Sequence, residues 1–264
     1  MKNILVPVGA SKNTLSHLQY AIDFAKDMGA TVHVVHVFDV YSNTETMMKL
    51  DTILDKEGLV QLDELLSKVN TRGVQIHRRI LQGKLIAALE NVCETLKIDL
   101  ILVQPRTTSF KDEVFLGKTS GKIIKQTQIP ALIIPESYVY KPITRVLMAV
   151  KSALIKTQNA LTPLQAIQNN YRAIVNLLLV KTSYYNEGDF KVNETLSTMI
   201  TNTTKTENAT IFQGVLEHFK SNDPDLLCVI RRHRGFFSKL WEKNVILKRD
   251  FYSSRPVLVL RGLH

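Results

Sequence analysis

The stretch from Asp99 to Pro135, DLILVQPRTTSFKDEVFLGKTSGKIIKQTQIPALIIP, decides the fold. An apolar run opens it, a polar loop and a helix-spaced segment follow, and a second apolar run begins just after Pro130. A counterpart extends from Asp225 to Arg261, DLLCVIRRHRGFFSKLWEKNVILKRDFYSSRPVLVLR. In each copy the Pro lies 31 positions after the opening Asp, Asp99 to Pro130 and Asp225 to Pro256, so the two align without a gap. Short apolar strands joined through helices require crossover connections and hence a mostly parallel sheet.

Upstream of the first copy the same alternation continues. Asn3 to Val8 and Thr31 to Phe38 are continuous apolar runs, as expected of strands covered on both faces. Between them Leu15, Leu18, Ala21, Ile22 and Ala25 fall at helical spacing, with Gly29 as the cap. A longer amphipathic helix follows, from about 47 to 69. The run from Val74 to Leu81 is less apolar, so this third strand belongs nearer an edge. Residues 84–96 read as helix. After a linker-like 136–142 the pattern restarts at Arg145. Apolar runs at 145–150, 173–180, 226–230 and 257–260 repeat the strands, with helices expected over about 158–169 and 193–200. Ile211-Phe212-Gln213-Gly214 echoes Ile80-Leu81-Gln82-Gly83 at the end of the first copy's third strand. The reading is an internal duplication: an α/β chain of two tandem doubly wound domains, residues 1–138 and a shortened 143–264.

Composition sets bounds on function. The hydrophobic share of 45% and charged share of 22% are those of a globular protein, and no apolar run reaches membrane-spanning length. Met1 to Val8 reads as a strand and is too short in its apolar part for a signal peptide. Cys93 and Cys228 fall in a helix and a strand interior, as buried free thiols. A cytoplasmic location is expected. The 1–140 half carries 16 basic and 15 acidic residues, whereas 141–264 carries 18 and 9, and seven of those basic residues lie between Arg231 and Arg249.

Two segments, Ile4 to Ser11 (ILVPVGAS) and Ala21 to Phe38 (AIDFAKDMGATVHVVHVF), resemble the universal stress protein family, as does the closing segment of the first copy. The second copy resembles it more weakly, so the chain looks like a tandem two-domain member. The resemblance implies, for each half, a five-stranded parallel sheet in the order 3-2-1-4-5 with the adenine nucleotide alpha hydrolase-like fold. Ligands of such sheets bind where the strand order reverses, between strands 1 and 4. Many members bind ATP there. The resemblance also implies pairing of domains through their fifth strands, here Ala131 to Ile134 beside Val257 to Leu260. Association of two such chains into a homodimer is a further expectation.

The nucleotide-binding members have an acidic residue after strand 1, a Gly-x-x-Gly after strand 4, and Gly-Ser or Gly-Thr at the start of helix 4. Here Gly9 and Lys151 stand at the acidic position. Gln104 and Thr107 replace the paired glycines in the first copy, and Ile230 and His233 in the second. Gly117 is retained, but Lys118 follows it, with Thr119 one step late; the second copy has Lys243-Asn244. Backbone N–H groups approach a phosphate best where no Cβ intervenes, so this pattern disfavours ATP. The degenerate site comprises Val8, Gly9, Phe38, Gln104, Arg106, Thr107, Gly117, Lys118 and Thr119. Arg106, Thr107, Thr108, Ser109, Lys118 and Thr119 could instead hold an anion by side chains. Arg231, Arg232, His233 and Arg234 form a second candidate patch, for an anion or an acidic partner.

Other motifs carry little. Gly117-Lys118-Thr119 resembles the end of a phosphate-binding loop, but Asp112 stands where the required glycine would be. His33, His36 and His77 lie in strands with no Cys or carboxylate at metal-ligand spacing. No Ser/His/Asp or paired-carboxylate arrangement is legible. The expectation is a non-catalytic stress-response adaptor, without cofactor, membrane segment or metal, acting on a protein partner. The alternatives are an adenine-nucleotide-binding switch in the first domain, or polyanion binding through the basic loop of the second. Nucleic acid is the less favoured polyanion, because Phe236, Phe237, Leu240 and Trp241 have the spacing of a packed helix.

Overall fold

A computed structural model describes residues 1–9, 11, 13–38, 45–105, 114–155, 157–231, 246–247 and 252–262. The chain separates into two compact units, Met1–Val103 with Gln126–Ile129 and Glu136–Tyr140, and Gln104–Lys125 with Pro130–Pro135 and Lys141–His264.

The first unit contains β1 (Asn3–Pro7), α1 (Thr14–Met28), β2 (Thr31–Phe38), α2 (Glu45–Ser67), β3 (Ile76–Gln82), α3 (Leu85–Thr95) and β4 (Leu100–Val103). Its strands run parallel in the order β3-β2-β1-β4. Ile4, Leu5, Leu100, Ile101 and Leu102 have no exposed surface, because helices cover both faces of the central strands. β3 is only half apolar and largely exposed, consistent with a sheet edge. Gly29 ends α1 at φ 62°, a conformation costly for any residue with a Cβ. The expected linker is docked instead of loose. Tyr140 packs edge-on against Tyr20 at 5.4 Å, Tyr138 lies 6.2 Å from the same ring, and the Tyr140 hydroxyl donates to the Asp27 carboxylate.

The second unit contains β5 (Val114–Leu116), α4 (Lys118–Gln126), β6 (Ala131–Ile133), β7 (Arg145–Val150), a 3-10 turn at Gln158–Leu161, α5 (Thr162–Tyr171), β8 (Ile174–Lys181), α6 (Glu194–Ser197), β9 (Asn202–Glu207), α7 (Ile211–Asn222), β10 (Leu226–Arg231), β11 (Ile246–Leu247) and β12 (Val257–Arg261). Its main sheet has the order β6-β12-β10-β7-β8-β9. The run β9-β8-β7-β10-β12 is the doubly wound order 3-2-1-4-5. β6 joins it antiparallel, with Val257 opposite Ile133, Leu258 opposite Leu132 and Val259 opposite Ala131. A two-stranded ribbon, β5 with β11, stands apart from that sheet.

The echo at Ile211-Phe212-Gln213-Gly214 does not mark a strand end. These residues are the first turn of α7, and the third strand of this half is β9, NTTKTE, which is polar because it lies exposed. Thr210 and Gln213 form a reciprocal capping box that starts the helix there. The helix expected over 193–200 is a single turn, α6, capped by Asn193, whose side chain accepts from the Leu196 N–H. Gly214 lets α7 approach β8: a Cβ would lie 2.8 Å from Val180 Cγ2, 3.1 Å from its Cγ1 and 3.3 Å from Thr206 Cγ2.

The opening aspartates of the two repeats do the same structural work. Asp99 accepts from the backbone N–H of Lys2 (2.6 Å) and Asn3 (3.0 Å), at the start of β1. Asp225 accepts from the N–H of Thr144 (2.9 Å) and Arg145 (3.0 Å) and from the Thr144 hydroxyl (2.7 Å), at the start of β7. Lys141 Nζ lies 2.5 Å from its other oxygen. Burial opposes ionisation of Asp225, yet Lys141, the Thr144 hydroxyl and the two N–H groups outweigh it and hold the carboxyl down at about 2.

Two outcomes follow for stability. Asp225→Ala should cost about 2–4 kcal/mol at neutral pH in urea unfolding, and Asp99→Ala about 1–2 kcal/mol, since it lacks the ion pair. Equal small losses would contradict the anchoring role. Gly214→Ala should destabilise by about 1–2 kcal/mol, although alanine is the better helix former by about 1 kcal/mol. A stabilised variant would show that Val180 yields.

Candidate functional site

A doubly wound sheet offers its crevice at the carboxyl ends of the strands flanking the reversal. In the first unit these are β1 and β4; in the second they are β7 and β10.

In the first unit Val8 continues the line of β1 and donates its N–H to the Val35 carbonyl (2.8 Å). The Gly9 carbonyl accepts from the Ser11 N–H (2.8 Å) and from the Thr14 hydroxyl (2.9 Å). The loop after β1 is thus closed as a turn on the first residues of α1. Phe38, half-buried at the end of β2, stacks on His36 at 4.4 Å, and its carbonyl accepts from the Gly83 N–H. His17 sits just beyond the loop, 4% exposed, with neither ring nitrogen in a hydrogen bond of ordinary geometry. Burial pushes its pKa down to about 4, against a smaller opposing pull from the Leu102 backbone.

The other first-copy residues belong to the second unit. Gln104 follows β4, and its carbonyl accepts from the Ser120 hydroxyl (2.6 Å). Gly117 precedes α4 and accepts the first helical bond, from the Gly121 N–H (2.9 Å). Lys118 and Thr119 are exposed on the first turn. Arg106, Thr107, Thr108 and Ser109 lie outside the described residues, as do Arg232, His233 and Arg234. Ser120 escaped the sequence reading; its one signal is a hydroxyl three positions after Gly117.

In the second half the loop after β7 is bonded to the segment that follows β8. After β7, the Ala153 N–H donates to the Asp189 carbonyl at 2.6 Å, and Asn193 Nδ2 donates to the Ile155 carbonyl at 3.0 Å. Segment 182–193 is itself braced: the Asn186 N–H donates to Asp189 Oδ2 (2.8 Å), and Tyr185 meets Phe190 edge-on at 4.9 Å. Ser152 and Thr182, which end the lines of β7 and β8, are buried, and each hydroxyl accepts from a backbone N–H two residues on, at Leu154 and Tyr184. Ile230, at the first glycine-equivalent position, is 5% exposed. Arg231 directs its guanidinium at the carbonyls of Ile124 and Lys125, at the carboxyl end of α4, where a cation complements the helix dipole. Burial, with Arg261 opposite it in the ladder, lowers its pKa to about 10.

The remaining candidates behave as structural groups. Cys93 and Cys228 are buried free thiols; burial, with Glu90 adding to it, raises Cys93 to about 12, and burial alone raises Cys228. His33 stacks on His77 at 5.3 Å and lies 3.2 Å from Asn3 Oδ1. Among the described residues no cluster of His, Cys, Asp or Glu could hold a metal ion, and no helix is long and apolar enough to cross a membrane.

Sheet order and an α4 entered through Gly117 define a doubly wound α/β protein. The model of the universal stress protein family matches residues 1–135, just over half of the 264. The chain belongs to the universal stress protein family. A universal stress protein of Methanocaldococcus jannaschii is 25% identical over 138 residues, 50% of this chain and 81% of the relative. The fold extends over the whole chain. The crystal structure of a universal stress protein from Archaeoglobus fulgidus matches 98% of this chain and 96% of its own, at a TM-score of 0.69 and 17% identity. A functionally unknown protein from Pseudomonas aeruginosa matches 99% and 92%, at 0.62 and 13%.

His17 gives the site region a pH signature. Its folded value of about 4 lies below the ordinary 6.5, so the unfolded chain takes up the proton first as pH falls. Stability complete above pH 6.5 is lost as pH falls through about 4, by about 3 kcal/mol. His17→Leu should remove most of that loss in urea melts at about pH 7.5 and about pH 4.5. An unchanged difference between the two pH values would assign it to other groups.

Proposed function

We propose that this chain is a non-catalytic universal stress protein that has given up the ATP site and acts as an adaptor through its surfaces. The observation that carries this reading is the Ala153–Asp189 contact. A backbone donor of the loop after β7 is taken by a carbonyl of the same chain, in segment 182–193. In the first half, the Gly9 carbonyl is engaged by Thr14 and the Gln104 carbonyl by Ser120. Gly9 brings no carboxylate for a nucleoside. These features support retention of the scaffold without its ligand.

The two halves of the sequence pair as an intramolecular pseudo-dimer through their fifth strands. The antiparallel ladder of Ala131, Leu132 and Ile133 with Val257, Leu258 and Val259 supports this. Two buried free thiols are in keeping with a cytoplasmic setting.

A melting scan with ATP, AMP and inorganic phosphate tests the proposal. Ligand at about 100 times its dissociation constant stabilises by about 2.7 kcal/mol, a shift of several degrees. The expected result is the same melting temperature with and without each compound at millimolar concentration. A rise with ATP would overturn the proposal in favour of a nucleotide-binding switch. A rise with phosphate alone would point to an anion site.

A further inference from the structure

The outer edge of β3 carries features that the crevice does not use. Val32 N–H donates to the Gln75 carbonyl, and Gly83 N–H to the Phe38 carbonyl, with Val32 through Phe38 in register with Ile76 through Gln82 between them. Ladder partners alternate along a strand, so residues 77, 79 and 81 bond to β2. Ile76, Arg78, Ile80 and Gln82 therefore direct their N–H and C=O groups away from the sheet. Along this edge runs a groove of about 550 Å³. α2 contributes Asp55 and Leu59 to it, and α3 contributes Asn91, Val92 and Leu96. Apolar side chains thus flank a row of open backbone donors and acceptors.

The charges choose the occupant. Arg78 is held by Asp63 (Nη2 to Oδ2, 2.9 Å) and Gln82 by Asp55 (3.0 Å), both on α2. Arg79 points to the opposite face, is exposed, and has no ion pair among the described residues; His77, exposed, shares that face. A second copy of the same strand laid antiparallel about Arg79 would set the two Arg79 guanidinium groups against each other, and like charges facing across a ladder are destabilising. The same charges discourage indiscriminate edge pairing.

We propose that this edge docks an extended segment of a partner protein, alternating apolar and acidic side chains, as an added strand on β3. Backbone groups at 76, 78, 80 and 82 supply the ladder, Leu59 and Ile80 on the α2 side receive the apolar residues, and Arg79 on the opposite face receives a carboxylate. The biological meaning rests on the adaptor reading above, but the binding does not.

The test uses the full-length chain and a fluorescein-labelled peptide of alternating valine and glutamate, with a valine–lysine peptide as control. Fluorescence anisotropy should show binding of the acidic peptide, weakened about tenfold or more by Arg79→Glu, an exposed substitution that leaves the melting temperature in place. Ile80→Pro removes one outward donor and should weaken binding by a similar factor. Hydrogen exchange should slow at the amides of Arg78, Ile80 and Gln82 when the acidic peptide is added. No binding, equal binding of wild type and Arg79→Glu, or unslowed exchange at those amides would each overturn the proposal. The ATP scan reads a different part of the molecule, so either result can fail while the other stands.

Discussion

Each half of this protein hangs on one carboxylate that grips the backbone at the start of its first strand. Asp99 and Asp225 open the two repeats, and each accepts a pair of successive N–H groups, at Lys2 and Asn3 or at Thr144 and Arg145. A parallel strand begins without a turn to hold its first donors, so an acceptor must come from elsewhere in the chain. Here it comes from the residue just before the fourth strand. One side chain therefore satisfies the first strand and sets its register with the fourth. That register defines where both strands end, and hence the shape of the crevice at their carboxyl ends. In the second half Lys141 adds a charge partner and burial makes the grip stronger.

At those carboxyl ends several polar groups among the described residues are engaged internally. A phosphate-binding loop works by leaving N–H groups unpaired and aimed at one point. In the second half the Ala153 donor is satisfied by Asp189, and Ser152 and Thr182 turn their hydroxyls onto nearby backbone. Arg231, the last residue of β10, lies against the carbonyl end of α4. The family fold is present in both halves, and these contacts help hold the loops after the first strands in place.

Much of the architecture could be read from residues alone, because buried parallel strands leave continuous apolar runs such as LILV at 100–103 and LLCVI at 226–230. Misreadings fell where burial is partial. β9 is NTTKTE, polar on an exposed edge, so an apolar echo at Ile211 drew attention away from it. β5 and β11 have three and two residues, too few to show any period. The candidate positions follow from residue spacing, but the contacts their neighbourhood makes do not. Gly9, Gln104 and Gly117 can be located by spacing, whereas the Asp189 carbonyl that takes the Ala153 N–H is a backbone group without a sequence signature. The Arg231 contact with α4 is equally invisible, since basic residues look the same whether they face solvent or a helix end.

The place of β6 has a consequence for how the protein is made. Its partner in the antiparallel ladder is β12, so Ile133 meets Val257 only after 124 further residues are synthesised (257 − 133). At roughly 5–20 residues per second, that interval is roughly 6–25 s. Throughout it, a short apolar strand has left the ribosome with its β12-facing edge unpaired. The first half of the sequence must therefore wait, with that edge open, until the last strand of the second half is made.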